Sequence, residues 1–221
     1  MSGCPFHNST AATPSIMEAL KSSTSARHDA AEGHQFQKSL VKGELPREQY
    51  AAYLGQLLHV HRTLESLLRN HASSTPAIAA VVKSVQYQEP YLLEDLAFYG
   101  LDPARIEPLP ATKALAEEMQ RVARECPAAL LGYHYVMEGS NNGNKFIARA
   151  LAQAYRLPAG KGLKYLDPYG DQQRPFWMQF KTDMDAQSFT ADERQRMLAA
   201  ADSMFAAIGA ISTELAVPVA A

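Results

Sequence analysis

The 221-residue chain has few cysteines, no long apolar run and no excess of charge of either sign. Its two cysteines, Cys4 and Cys126, are too few for a disulfide framework, so a reducing cytoplasm is the expected location. Because 21 basic residues face 23 acidic ones, the formal net charge of −2 argues against a nucleic-acid-binding surface. No apolar run approaches the roughly 20 residues that span a bilayer. The first residues also lack the pattern of an export signal, so we expect neither a membrane span nor secretion.

Signals for β-strands are missing as well, because no stretch of four or more residues alternates cleanly between apolar and polar side chains. Apolar residues instead recur at steps of three or four along most of the chain, which is the period of helices with one buried face. The pattern predicts one all-α domain of about seven or eight helices at residues 13–216. Residues 1–12 are small, polar and aperiodic, and we expect them to form a flexible N-terminal arm.

Capping and breaking residues give the expected helix boundaries. Ser15 and Glu18 have the spacing of a capping box at the start of the first helix. A serine–threonine–proline start and continuous helical period predict a helix over 76–96. Three prolines within 100–112 predict a loop there.

One segment conflicts with the helical pattern on both sides of it. Residues 139–144 are two glycines, a serine and three asparagines, a composition that costs about 4 kcal/mol in a helix relative to alanine. The segment is either a turn between two helices or the middle of one bent helix. In a helix, Gly139 and Gly143 point the same way, so a flat, bulky group can lie directly against the backbone. The neighbouring serine and asparagine side chains would then organise water over that group.

Three histidine–glutamate pairs at i, i+4 spacing are candidates for hydrogen bonds or metal sites. In such a pair the carboxylate holds one ring nitrogen and leaves the other to bind iron or zinc, although the same pair also serves as an ordinary hydrogen bond. The pairs are His28/Glu32, His61/Glu65 and His134/Glu138.

His28 differs from the other histidines because it continues an apolar stripe formed by Met17, Leu20 and Thr24. We expect this stripe to face inward. Lys21 lies two turns before His28 on nearly the same face, about 10 Å along the helix axis. A cation at that distance can hold an anionic edge of a planar cofactor whose centre is bound by the imidazole.

The order of these motifs resembles that of the biliverdin-forming heme oxygenases, from about residue 16 to about residue 205. The first helix resembles the family's proximal helix, and the glycine segment is similar to the distal helix of the bacterial branch. The motifs in chain order are Leu20-Lys21…Thr24…His28-x-x-Ala31-Glu32, Phe36…Lys42-Gly43…Arg47…Tyr50, His59…Leu64-Glu65…Arg69-Asn70, Tyr135-x-x-Glu138-Gly139-Ser140-x-x-Gly143 and Tyr169-Gly170…Trp177…Phe180.

The resemblance implies an all-helical, heme oxygenase-like fold that holds heme b between the first helix and a kinked distal helix. It implies that His28 ligates the heme iron and that Glu32 is the hydrogen-bond partner of that ring. Lys21 and Tyr135 are the implied contacts of the heme propionates.

The resemblance also implies a catalytic surface on the distal side of the heme. Gly139 and Gly143 would place bare backbone over that face, and Ser140 and Asn142 would take part in holding the catalytic water. The chain departs from the bacterial branch in its run of asparagines, since that branch commonly has small or apolar residues at the positions of Asn141, Asn142 and Asn144.

The activity implied is oxidative opening of the heme ring by O2 and electrons from a reductase or ferredoxin, yielding biliverdin, ferrous iron and carbon monoxide. A monomer is the expected state. One alternative is a heme-binding or storage protein that uses the same pocket without ring opening, which the asparagine-rich segment favours. The other is a non-heme di-iron oxidase, although such proteins take histidine and glutamate ligands at i, i+3 rather than i, i+4 spacing.

Overall fold

A computed structural model describes residues 13–216, and within this range the chain forms nine α-helices, four short 3-10 helices and no β-strand. The predicted all-α class is therefore confirmed, with one or two more helices than expected; the predicted arm at 1–12 lies outside the described range. The α-helices are α1 Ile16–Gly33, α2 Gln35–Lys42, α3 Arg47–His71, α4 Pro76–Val81, α5 Glu89–Phe98, α6 Pro110–Glu125, α7 Leu130–Ala154, α8 Gln173–Asp185 and α9 Ala191–Ala216. The 3-10 helices are Ser84–Gln86, Pro103–Arg105, Pro127–Ala129 and Gly170–Gln172.

The predicted single helix over 76–96 is wrong. The structure forms α4, a 3-10 turn and then α5, with the backbone extended at Val82. The break has a tertiary cause, because the Glu65 carboxylate of α3 accepts the backbone N–H groups of Gln88 and Glu89, at 2.6 and 3.1 Å. A side chain distant in sequence thus caps the first turn of α5, which the local pattern does not reveal.

The helix boundaries elsewhere follow the sequence signals closely. The predicted capping box at the start of α1 is present, since the Glu18 N–H donates to the Ser15 hydroxyl at 3.2 Å and the Glu18 carboxylate accepts the Ser15 N–H at 2.9 Å. The predicted loop 100–112 is shorter than expected because α6 begins at Pro110, and a proline in the first turn fits a helix start.

The segment 139–144 is helical, so α7 is one continuous helix and the two-helix alternative is wrong. Tight packing around α7 offsets the poor helix propensity of this segment. Leu131, Tyr133 and Leu151 are fully buried on either side of it. At Gly132 the helix approaches α9 so closely that a Cβ atom would lie 2.1 Å from the backbone oxygen of Met197.

Among the described residues, one helix, α9, is long and apolar enough to cross a membrane by length and composition alone. Its Met197, Met204 and Ile211 side chains are fully buried in the core, and a core helix passes the same test. Asp202 in the middle of α9 also pairs with Arg27 of α1 at 2.8 Å. These contacts with α1 and α7 cover one face of α9, and 28% of its most apolar 18-residue stretch is buried.

Candidate functional site

The side chains of Thr24 in α1 and Tyr135 in α7 lie close to each other. Thr24 is buried, and its hydroxyl bonds to the Leu20 carbonyl at 2.7 Å, which fixes the side chain against its own helix. His28 lies one turn further along α1, and Gly139 lies one turn further along α7. Thr24 and Tyr135 therefore mark a place where α1 and α7 approach each other, one turn from both His28 and Gly139.

The imidazole of His28 is exposed at the end of a stripe that is otherwise buried. Met17, Leu20 and Thr24 are buried as the period predicts, whereas His28 extends beyond them and contacts Phe205 of α9 edge to face, with ring centroids 6.0 Å apart. An accessible imidazole beside an apolar ring suits the binding of a metal at the centre of a flat, apolar ligand. Lys21 is also exposed on α1. The side chain of Glu32, the expected partner of His28, lies outside the described residues.

The two glycines of α7 have different surroundings. A Cβ atom built on Gly143 meets no described atom within 4 Å, so the backbone there borders open space. A Cβ atom on Gly139 lies 3.4 Å from the six-membered ring of Trp177 in α8. The bare surface expected at both glycines is thus found at Gly143, whereas Gly139 is covered by an indole.

Trp177 is part of the last family-like motif, and no role was predicted for it from the sequence. Trp177 and Phe180 are three residues apart on α8 and stack with centroids 5.4 Å apart and an interplanar angle of 14°. The ring of Tyr135 lies on another side of the indole at 5.9 Å. The i, i+3 spacing of two aromatic residues was the available signal for such a stack.

The polar side chains of the glycine segment bond to the carbonyl groups of their own helix. The Ser140 hydroxyl donates to the Met137 carbonyl at 2.7 Å, and the Asn142 amide donates to the Gly139 carbonyl at 2.9 Å. The Asn142 side-chain oxygen also accepts a hydrogen bond from Gln173 at 3.4 Å. These bonds occupy donors that were expected to hold water.

A buried carboxyl group, that of Glu138, lies on α7 next to this surface. The Tyr169 hydroxyl donates to Glu138 Oε2 at 2.9 Å and accepts from the Gln88 amide at 2.8 Å. Glu138 Oε1 is buried without a hydrogen-bond partner among the described residues. Burial raises the pKa of Glu138 to about 7, so this carboxyl group exchanges a proton near neutral pH.

The remaining histidine–glutamate pairs are structural. His61 and Glu65 bond at 3.2 Å, as their spacing predicts. His134 instead bonds to Gln86 at 3.2 Å, and burial lowers its pKa to about 4. Within residues 13–216 no group of three or more His, Cys, Asp or Glu side chains is placed to hold a metal ion. The pairs therefore supply no ligand set for a di-iron centre.

Known proteins resemble this chain in sequence and in fold. A family model described as heme oxygenase matches residues 15–214. The chain is 28% identical over 197 residues to heme oxygenase 1 of Bos taurus, covering 86% of this chain and 68% of the bovine protein. Its structure matches that of heme oxygenase from Leptospira interrogans with a TM-score of 0.85 at 27% identity, covering 91% of this chain and 100% of the other. Heme oxygenase-2 from Synechocystis, solved in complex with heme and NO, shares the fold with a TM-score of 0.85 at 22% identity, over 91% and 85% of the two chains.

Proposed function

The chain belongs to the heme oxygenase family, and we propose that it binds heme b between α1 and α7 and opens the ring to biliverdin. Ring opening to biliverdin is the function of that family. The observation that carries the proposal to this chain is the open space at Gly143. Gly143 lies on the helix whose Tyr135 side chain is close to Thr24 of the histidine-bearing helix.

On the α1 side, His28 is the proposed iron ligand. Its exposure leaves the ring accessible to a ligand entering from solvent, and Phe205 supports the ring from α9. A neutral imidazole is an ordinary ligand for heme iron. We assign the heme propionates to Lys21, whose ammonium group is exposed on the same helix. Tyr135, whose side chain lies close to Thr24 of α1, is the second proposed propionate contact.

On the α7 side, Gly143 would let the backbone approach the porphyrin face without a side chain between them. Ser140 and Asn142 donate to carbonyl groups of their own helix, so a water that they hold would donate its hydrogen bond to their side-chain oxygens. The buried His134 is bonded to Gln86, so we give it no part in proton delivery to the substrate.

Bound heme would supply both the iron that activates dioxygen and the ring that is oxidised, so the residues of the chain have to orient the substrate and control water. The reaction consumes O2 and electrons and releases ferrous iron and carbon monoxide. We assign the electrons to a separate reductase or ferredoxin, and we expect a cytoplasmic monomer.

A hemin titration followed by reduction tests the function. We expect one equivalent of hemin to give an intense Soret band, and ascorbate or a ferredoxin system in air to convert it to green biliverdin with release of carbon monoxide. Bound hemin whose ring stays intact through reduction would contradict ring opening and leave a storage protein. No hemin binding at all would contradict both.

A further inference from the structure

The chain has a single tryptophan, Trp177, and the structure places its ring against α7 at Gly139. Three atoms of the indole six-membered ring lie 3.4, 3.7 and 4.0 Å from the Cβ position of Gly139. Glycine has no Cβ atom, so these distances mean that the edge of the ring faces the backbone across a gap that a single methyl group would fill.

The indole of Trp177 is held in place from other sides. Phe180, which is 1% exposed, stacks nearly parallel to it, and Tyr135 packs against it at 5.9 Å. Phe180 is itself supported by the buried His134 ring, edge to face at 5.6 Å. Trp177 remains partly exposed. The Trp177 ring is therefore a wall that two aromatic neighbours support, with part of its surface exposed.

The position of this wall relative to Gly143 limits how a porphyrin can lie on α7. Gly139 and Gly143 are four residues apart, which is about 6 Å along the helix axis. A porphyrin macrocycle is wider than this distance. A disc seated over Gly143 therefore extends to the level of Gly139, where it meets the edge of the indole.

We propose that Trp177 is a specificity-determining residue that stops one edge of the heme and so fixes its rotation within the plane. The inference rests on the proposed function. The periphery of heme b carries methyl, vinyl and propionate groups in an unsymmetrical order, so a rigid wall favours the rotation whose substituents fit against it. The rotation decides which of the meso carbons lies at the oxidised position, and hence which biliverdin isomer is formed. A tenfold preference for one rotation corresponds to a difference of only about 1.4 kcal/mol in binding free energy between the two rotations.

The test compares the wild-type chain with Trp177→Ala, Trp177→Phe and a control, Met178→Ala. Met178 is the next residue and is 49% exposed, so its truncation leaves the wall intact. Each protein is loaded with hemin, and proton NMR of the ferric cyanide complex counts the heme rotations from the shifted methyl signals. Single turnover followed by chromatography then gives the ratio of biliverdin isomers.

We expect one dominant methyl pattern and one dominant isomer in the wild type and in the control. In Trp177→Ala the ratio of major to minor rotation should fall at least about fivefold, with the isomer ratio following it, while hemin affinity changes less than about tenfold. Trp177→Phe keeps an aromatic ring stacked on Phe180, so its ratio of major to minor rotation should lie between those of the wild type and Trp177→Ala. This variant replaces Trp177→Ala in the test if the alanine variant fails to fold. Unchanged methyl patterns in the variants that fold would overturn the inference. The NMR readout needs no turnover, so a chain that binds hemin without forming biliverdin would refute the proposed activity and still test the wall.

Discussion

Replacing Gly143 by alanine should stabilise the free protein while weakening its hold on heme. Glycine in a helix interior is less favourable than alanine by about 0.5–1 kcal/mol. No described atom lies within 4 Å of the new methyl group, so nothing cancels this gain. Each kcal/mol shifts the Tm of a domain this size by about 2–4 °C. The Tm of apo Gly143→Ala should therefore rise by about 1–4 °C.

The same methyl group would stand where the porphyrin face approaches the backbone. We expect hemin affinity to fall at least tenfold, which corresponds to about 1.4 kcal/mol, and single turnover to slow. Differential scanning calorimetry of the apoprotein and a Soret titration with hemin measure the two effects separately.

Gly139→Ala is the matched control, because it makes the same change one turn earlier in the same helix. Its methyl group would meet Trp177 at 3.4 Å rather than open space, so we expect hemin affinity within about threefold of the wild type. An apo Gly143→Ala protein that melts below the wild type, or one that binds hemin as tightly as the wild type does, would contradict the placement of heme over Gly143.

Three further predictions concern the scaffold around the site. Gly132→Ala puts a carbon 2.1 Å from the Met197 backbone oxygen, so urea unfolding should show a loss of about 3 kcal/mol or more; a wild-type midpoint would contradict this close approach. Glu65→Ala removes the shared acceptor of two backbone N–H groups, an imidazole and a guanidinium. The free energy of unfolding should therefore fall by about 3–5 kcal/mol. A fall below about 1 kcal/mol would show that these bonds add little to stability. Burial raises the pKa of Glu138 from 4.5 to about 7, so the folded state binds this proton more tightly than the unfolded state. Its contribution to stability is complete below about pH 4.5 and is lost as the pH rises through about 7, a difference of about 3 kcal/mol. Glu138→Gln should remove that decline, and parallel unfolding curves for both proteins between about pH 5 and pH 8 would refute the assignment.

The helical period of the sequence was sufficient to predict the fold class and most helix starts. It failed at residues 76–96, where both halves keep the period but the Glu65 carboxylate caps a new helix between them. That cap comes from a residue 23 positions away in the chain. A pattern confined to neighbouring residues carries no information about such a contact.

The glycine segment shows the opposite case. Its composition left a turn and a bent helix equally open, and packing decided for the helix through Leu131, Tyr133 and Leu151. Within the site, the spacing of Gly139 and Gly143 correctly placed them on one face but could not show that an indole from α8 covers only the first. The position of α8 determines which of the two glycines remains uncovered. That position depends on tertiary packing, which the local sequence pattern does not contain.

The proposed ligation of heme iron by His28 is tested most directly by resonance Raman spectroscopy of the ferrous heme complex. The wild type and a control variant, His71→Ala at the far end of α3, should both show the iron–imidazole stretching band. In His28→Ala the band should be lost together with biliverdin formation, and added imidazole should restore the band. A His28→Ala complex that keeps the wild-type band without added imidazole would contradict the assignment of His28 and the placement of heme between α1 and α7.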